Sequence, residues 1–414
     1  MRKIMLVHYS GPPTIGGVEQ TIFHHARGLS DLAYQVSLVV GQGEPFDARV
    51  PVSVIPELYS KHPEVLVAKA ALDRGEIPAV FSELRSRLLE RLAQALEDQD
   101  ALVVHNTLSL HKNLPLTVAL WDLNQAGRLP PFIGWHHDLA WDRPDYRHEL
   151  HPGFPWELLN RPWPGVVNVV VSHDQQARLA RVYDVDREAI AIVPPGVDPA
   201  AFGRWTSRTF RIIQTLDLLS ADMLLLLPAR ITRRKNIEYA VKTLADLRRL
   251  SHKDCRLIVT GPPGAHNPAN IAYLAELLEL RNRLGLEDSA HFLFQQEGDP
   301  PSDIDQETLA DLYHISDALF FPSLDEGFGI PLLEAGLARL PVFCSDIPPF
   351  HESGGTQVHF FSPQAPPARA AGLILERLEA DAAFALRRRV LTGFTWQGIV
   401  RHRVIPILER AIGG

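Results

Sequence analysis

The chain has 414 residues, 46% apolar and 22% charged, with 33 prolines, 18 histidines, two cysteines and a net charge of −8. That length suits two domains of ordinary size, and the composition excludes a disordered, collagenous or disulfide-stapled chain. Net acidity argues against a general nucleic-acid binder, and no apolar run can cross a bilayer or, after Arg2 and Lys3, serve as a secretion signal; a cytoplasmic protein with buried free thiols at Cys255 and Cys344 is expected.

In chain order, apolar spacing predicts a strand at Lys3–His8, a turn-rich loop at 11–17, a helix over 18–32 and a strand at Gln35–Val40. Phe81, Leu84, Leu88, Leu92 and Leu96 recur at three and four and predict a helix over 81–96. Ala101–His105, 132–135 and 166–171 are short runs of the kind buried on both faces of a parallel sheet. Residues 190–193 close the first half before a rigid connector at 194–199. The rhythm then restarts, with strands at Met223–Leu227, 256–260, 291–294, Ala318–Phe321 and 341–344. Helices are predicted over 236–250, 271–284, 331–340, 369–378 and 396–411, and an acidic loop at 297–305. The alternation predicts an α/β protein of two doubly wound, Rossmann-like domains, 1–200 and 201–390, facing a central cleft. Residues 391–414 are read as a terminal helix packing back toward the first domain.

Four stretches carry chemistry. Asp325–Ala335 holds Glu326, Gly327, Phe328, Gly329, Ile330, Pro331 and Glu334 across a strand-to-helix turn. Bare glycine N–H groups and a helix N-terminus suit a ligand there, and two carboxylates eight apart can reach different parts of one polyhydroxylated molecule. Arg230, Arg233, Arg234 and Lys235 follow a strand directly, where open α/β sheets bind ligands, and suit a diphosphate. Gly16 and Gly17 open the first helix. Four of the seven tryptophans (135, 141, 156 and 163) cluster with His136, His137, Asp138, Arg143 and Tyr146. This is the composition of a sugar-binding loop or of a packed lid. The histidines lack zinc-site spacing, and the D-x-D strings at 184–186 and 303–305 read as surface acids, so no metal site is expected.

Together these residues resemble the retaining glycosyltransferases of family 4, over nearly the whole chain. The resemblance implies the GT-B fold and transfer of a hexose, mannose or glucose, from a GDP- or UDP-linked donor to a hydroxyl acceptor. The acceptor would be a sugar, a small polar molecule or a lipid-linked one. No cofactor and no essential metal are implied, nucleic acid is not a partner, and membrane contact is at most peripheral. Gly17, Arg230 and Lys235 match the family's diphosphate-binding positions. His137 and Glu326 match its residues at the reacting sugar. Gly327, Phe328, Gly329, Ile330 and Glu334 match its contacts to donor sugar and ribose, and Pro195-Gly196-Val197-Asp198 its interdomain signature. Asn106, Asp138, Arg143 and Tyr146 fall to the acceptor side. Ala229 stands where a glycine often precedes the arginine. An epimerase or phosphorylase of the same fold, and a non-catalytic sugar-nucleotide binder, remain alternatives. A nicotinamide oxidoreductase is disfavoured by the missing dinucleotide fingerprint.

Overall fold

The computed structural model describes residues 1–264, 269–296 and 304–413, with the side chains of 295 and 296 left out; the predicted loop at 297–305 lies outside it but for Ile304 and Asp305. The chain forms two compact units, Met1–Val197 with Gly393–Gly414, and Asp198–Thr392.

The first unit is built on seven strands: β1 (Lys3–His8), β2 (Gln35–Val40), β3 (Val52–Val54), β4 (Ala101–His105), β5 (Phe132–His136), β6 (Val166–Val170) and β7 (Ile190–Ile192). All pair in parallel, in the order β3-β2-β1-β4-β5-β6-β7. Ile4, Leu6, Ala101 and Val103 pack with Ile22, Ala26 and Leu29 of helix Gly17–Asp31 and with Val400, Val404, Ile407 and Leu408 near the C-terminus. The alternate residues Met5, Val7, Leu102 and Val104 pack with helices Ala79–Ala95 and Leu114–Gln125. Both faces are covered, which is why these strands read as unbroken apolar runs. Each leucine so buried contributes roughly 1.5–3 kcal/mol.

The second unit repeats the plan with six strands: β8 (Met223–Leu227), β9 (Cys255–Val259), β10 (Ala290–Phe292), β11 (Ala318–Phe321), β12 (Val342–Ser345) and β13 (His359–Phe361). They are parallel, in the order β10-β9-β8-β11-β12-β13. Each sheet therefore reverses its strand order once, between β1 and β4 and between β8 and β11, and such reversals are where open α/β sheets leave a crevice for ligands.

The strand predicted at 291–294 stops at Phe292, and Leu293–Gln296 turns helical. The terminal helix is not uniform: Trp396–Ile399 and Ile405–Gly413 flank a π-helical segment, Val400–Val404. The arginines of helix Ala79–Ala95 face acids, Arg85 on Asp122 at 2.6 Å, Arg91 on Glu57 at 3.1 Å and Arg87 on Glu64, so its polar side is an ion-pair lattice. Among the described residues no helix is long and apolar enough to cross a membrane. Where the chain leaves the first unit and returns to it, Val197 forms a parallel bridge with Thr395. The Val197 N–H donates to the Phe394 carbonyl at 2.8 Å, and the Trp396 N–H to the Val197 carbonyl at 3.1 Å.

Candidate active site

In the second unit, the loop after β8 and the loop after β11 flank the strand-order reversal, and the Leu324 N–H ties them together by donating to the Arg234 carbonyl at 2.7 Å. Three of the four cations here are engaged. Arg233 pairs with Glu276 at 2.6 Å, Arg234 with Glu326 at 3.0 Å, and Lys235 with the other oxygen of Glu326. The Lys235 ammonium also sits 4.7 Å over the Phe321 ring. Burial pulls the Lys235 pKa down, and Glu326 opposes that pull. Arg230 differs: its side chain is exposed and has no hydrogen bond or ion pair among the described residues. Its backbone is nonetheless fixed, because Ala229 and Ile231 are buried on either side. Gly261 allows that seating: a Cβ there would lie 2.5 Å from the Ala229 carbonyl oxygen.

The turn after β11 leads to helix Ile330–Leu337, with Pro331 in its first turn. Gly329 has φ +102°, and a Cβ there would lie 2.9 Å from the Phe350 ring, so this position demands glycine. Gly327 faces open space. Phe328 and Ile330 are exposed. Glu334, one turn into the helix, accepts a hydrogen bond from the buried Tyr313 hydroxyl at 2.6 Å. Burial, reinforced by that carboxylate, pushes the Tyr313 pKa well up, so the hydroxyl keeps its proton and remains a donor.

The reversal in the first unit has different chemistry. The adjacent strands β1, β4 and β5 each end in a buried histidine, His8, His105 and His136. His8 Nδ1 donates to the His105 carbonyl at 3.0 Å, and His105 Nδ1 lies 3.1 Å from Nε2 of His137. His136 Nε2 donates to Asn168 Oδ1 at 3.0 Å. His25, from helix Gly17–Asp31, packs 4.7 Å from the Trp135 ring. Burial holds His8 and His136 near about 4 and His25 near about 3; it takes His105 well below the usual range, with its imidazole neighbours adding to the effect. His137 falls to about 3, chiefly through burial and then through His8, His25 and His136. All five are neutral at pH 7.

Asn106 follows β4 with φ +61°, and its Oδ1 accepts from the backbone N–H groups of His137 (2.8 Å) and Asp138 (3.1 Å). Asp138 pairs with Arg143, whose guanidinium lies 5.9 Å over the Tyr146 ring. Gly17 opens its helix beside open space, while a Cβ at Gly16 would meet the Glu19 carboxylate at 2.1 Å.

Residues 211–386 match the family model for glycosyl transferases group 1, and residues 15–201 that for glycosyltransferase family 4. The chain belongs to the family 4 glycosyltransferases. It is 25% identical over 374 residues to mannosylglucosylglycerate synthase of Petrotoga mobilis, covering 84% of this chain and 83% of that one. It is also 25% identical over 448 residues to MMP alpha-(1->4)-mannosyltransferase of Mycolicibacterium hassiacum, covering 99% and 98%. A solved sucrose-phosphate synthase from Thermosynechococcus elongatus aligns over all of both chains at 17% identity, with a TM-score of 0.40.

Within this glycosyltransferase, each unit gathers its own share of the sequence-derived residues. Asn106, His137, Asp138, Arg143 and Tyr146 form one connected group, and Lys235 and Glu326 another. Two sets of residues lie deeper than a ligand-facing position. Asn106, assigned to the acceptor, is buried with its Oδ1 spent on the 137–138 backbone. The tryptophan cluster is mainly core: Trp135, Trp156 and Trp163 are at most 3% exposed and pack against leucines and aromatics, because an indole buried in an apolar layer is worth more there than at a surface. Sequence reasoning missed His8, His25, His105 and Tyr313. The signal for His8 and His105 was an apolar strand ending in histidine, seen on three neighbouring strands; Tyr313 left none.

Among the described residues one group has metal-like spacing, Asp73, His111 and Glu149, but Lys69 already lies within hydrogen-bond distance of both carboxylates, at 2.7 and 2.9 Å. Asp184 ends helix His173–Tyr183 in the left-handed conformation. Asp305 caps helix Gln306–Ile315 and pairs with Arg208 at 2.8 Å. Asp303 lies outside the described residues.

Proposed function

We propose that this glycosyltransferase moves a hexose, mannose or glucose, from a UDP- or GDP-linked donor to a hydroxyl acceptor, with retention of configuration and no required divalent metal. The observation carrying this reading is Arg230: an exposed guanidinium without a partner among the described residues, on a rigid backbone, at the strand-order reversal and in one loop with Lys235. Departure of the nucleoside diphosphate puts negative charge on its β-phosphate, and Arg230 with Lys235 stabilises that charge as it develops. Positive charge gathers on the anomeric carbon, and Glu326, already seated between two cations, is the carboxylate to face it. Glu334 takes the ribose hydroxyls, and His137 with the Asp138–Arg143–Tyr146 group serves the acceptor side and the transferred sugar. Mannosyl transfer is favoured by the names of the two relatives above.

The test is a thermal-shift panel of UDP, GDP and their glucose and mannose conjugates, followed by product analysis with and without an acceptor and with and without chelator. A ligand at a hundred times its Kd stabilises by about 2.7 kcal/mol. Transfer that disappears in chelator and returns only with a divalent ion defeats the metal-free reading. Conversion of donor without acceptor points instead to an epimerase.

A further inference from the structure

The histidine pair at the first unit's reversal holds a tautomer that fixes what His137 can do. His105 Nδ1 and His137 Nε2 are 3.1 Å apart, so one of them carries the proton and the other accepts it. The far side of His105 decides which. Its Nε2 is fully enclosed and has no partner among the described residues. If His137 donated, His105 would have to carry its own proton on Nε2, leaving an orphaned N–H in the core. An orphaned buried donor costs about 1–3 kcal/mol and is rarer in proteins than an idle acceptor. The ring of Trp135 offers that N–H no relief: it stacks on His105 at 26°, so an in-plane N–H runs along the indole face rather than into it. His8 offers none either: its Nε2 lone pair is not within hydrogen-bond reach, since His105 Nε2 has no partner among the described residues.

We infer that His105 is a positioning residue: its Nδ1–H donates to His137 Nε2 and locks His137 as the Nδ1–H tautomer. With Nε2 occupied and Asn106 pinning its backbone amide, His137 has one ring group left, an Nδ1–H without a partner among the described residues. It then acts on a bound sugar as a neutral hydrogen-bond donor. It does not act as a general base, because the lone pair a base needs is turned inward. Strand β4 thus supplies two consecutive supports, His105 for the imidazole and Asn106 for its main chain. The functional consequence, though not the tautomer, rests on reading His137 as a site residue.

Two-bond nitrogen–proton correlation spectra of protein labelled with 15N-histidine read the tautomer directly, with His137→Ala assigning the signal. The expected spectrum shows His137 protonated on Nδ1; protonation on Nε2 overturns the proposal. His105→Phe keeps a ring between Trp135 and His137 but removes the nitrogen. It should release His137 from the single tautomer and lower turnover about tenfold, with UDP and GDP affinity held within about twofold. An unchanged His137 tautomer in folded His105→Phe also overturns the proposal. If His137→Ala leaves turnover intact, the reading of His137 as a site residue fails, while the tautomer still stands or falls on the spectra.

Discussion

At the last residues of β1, β4 and β5 the chain places neutral, enclosed imidazoles; beyond β8 and β11 it places two cations on Glu326, a third on Glu276, and a fourth, Arg230, without a partner among the described residues. The two sheets share one plan, so the contrast comes from side chains alone. In the first unit, ring nitrogens that find no partner are kept neutral by burial, and the functional group is a lone donor on a rigid support. In the second, charges are kept by pairing, and what is available to a ligand is the cation left over.

Acid should separate the two most strongly. His8, His25 and His136 are fully buried, with pKa values lowered to between about 3 and 4, so the unfolded chain takes up their protons near 6.5 while the folded one does not. Stability is therefore full above pH 6.5 and falls as pH drops toward 4, by about 1.4 kcal/mol per pH unit per histidine. The second unit has His291 as its comparable buried group. Six of the seven tryptophans, all but Trp205, lie in the first unit, so their fluorescence should report its melting at higher pH than a calorimetric signal from the second. Equal acid sensitivity of the two transitions breaks the contrast.

Next in size is Arg230→Ala. Loss of an open cation should cut kcat/KM about a hundredfold and abolish stabilisation by UDP or GDP. The ligand-free melting temperature should hold, since the change removes no hydrogen bond or ion pair among the described residues and surface substitutions usually stay within about 0.5 kcal/mol. A large drop in ligand-free stability would mean that Arg230 is structural.

Glu326→Ala should lower turnover about thirtyfold and leave nucleoside diphosphate affinity nearly unchanged, because Lys235 is freed rather than lost. Loss of diphosphate binding, seen by calorimetry, would move Glu326 out of the sugar-facing role. The smallest effects concern Glu334. Glu334→Ala should weaken UDP or GDP about tenfold with turnover preserved, and Tyr313→Phe about threefold through the lost hydrogen bond. The double variant should be no weaker than Glu334→Ala alone. Additive losses would show that Tyr313 does not act through Glu334.

Much of the fold was legible because buried parallel strands announce themselves as apolar runs; Lys3–His8, Ala101–His105 and Met223–Leu227 fall where spacing places them. Helix Leu114–Gln125 was not, since it is buried on nearly every side and so has no apolar stripe against a polar one. The three-residue strands β3 and β13 are too short to show alternation. At the site, glycine, proline and paired charges in one short segment marked the loops of the second unit. The histidines of the first unit come from separate strands and a helix, from His8 to His137 in the chain, and only the sheet order gathers them. Tyr313, distant in sequence from Glu334 and unremarkable in composition, depends on how two helices pack.

The bridge between Val197 and Thr395 has a topological meaning. Paired neighbours lie roughly 5 Å apart, so the second unit leaves and rejoins the first at almost one point, as an insert spliced into a surface turn. A dissection that simply stops at Val197 would strip Val400, Val404, Ile407 and Leu408 from the face over β1 and β4 and expose apolar surface. Excising Asp198–Thr392 and bridging the gap with a short flexible linker keeps that face covered, so the histidine-bearing half can be made and titrated without its partner.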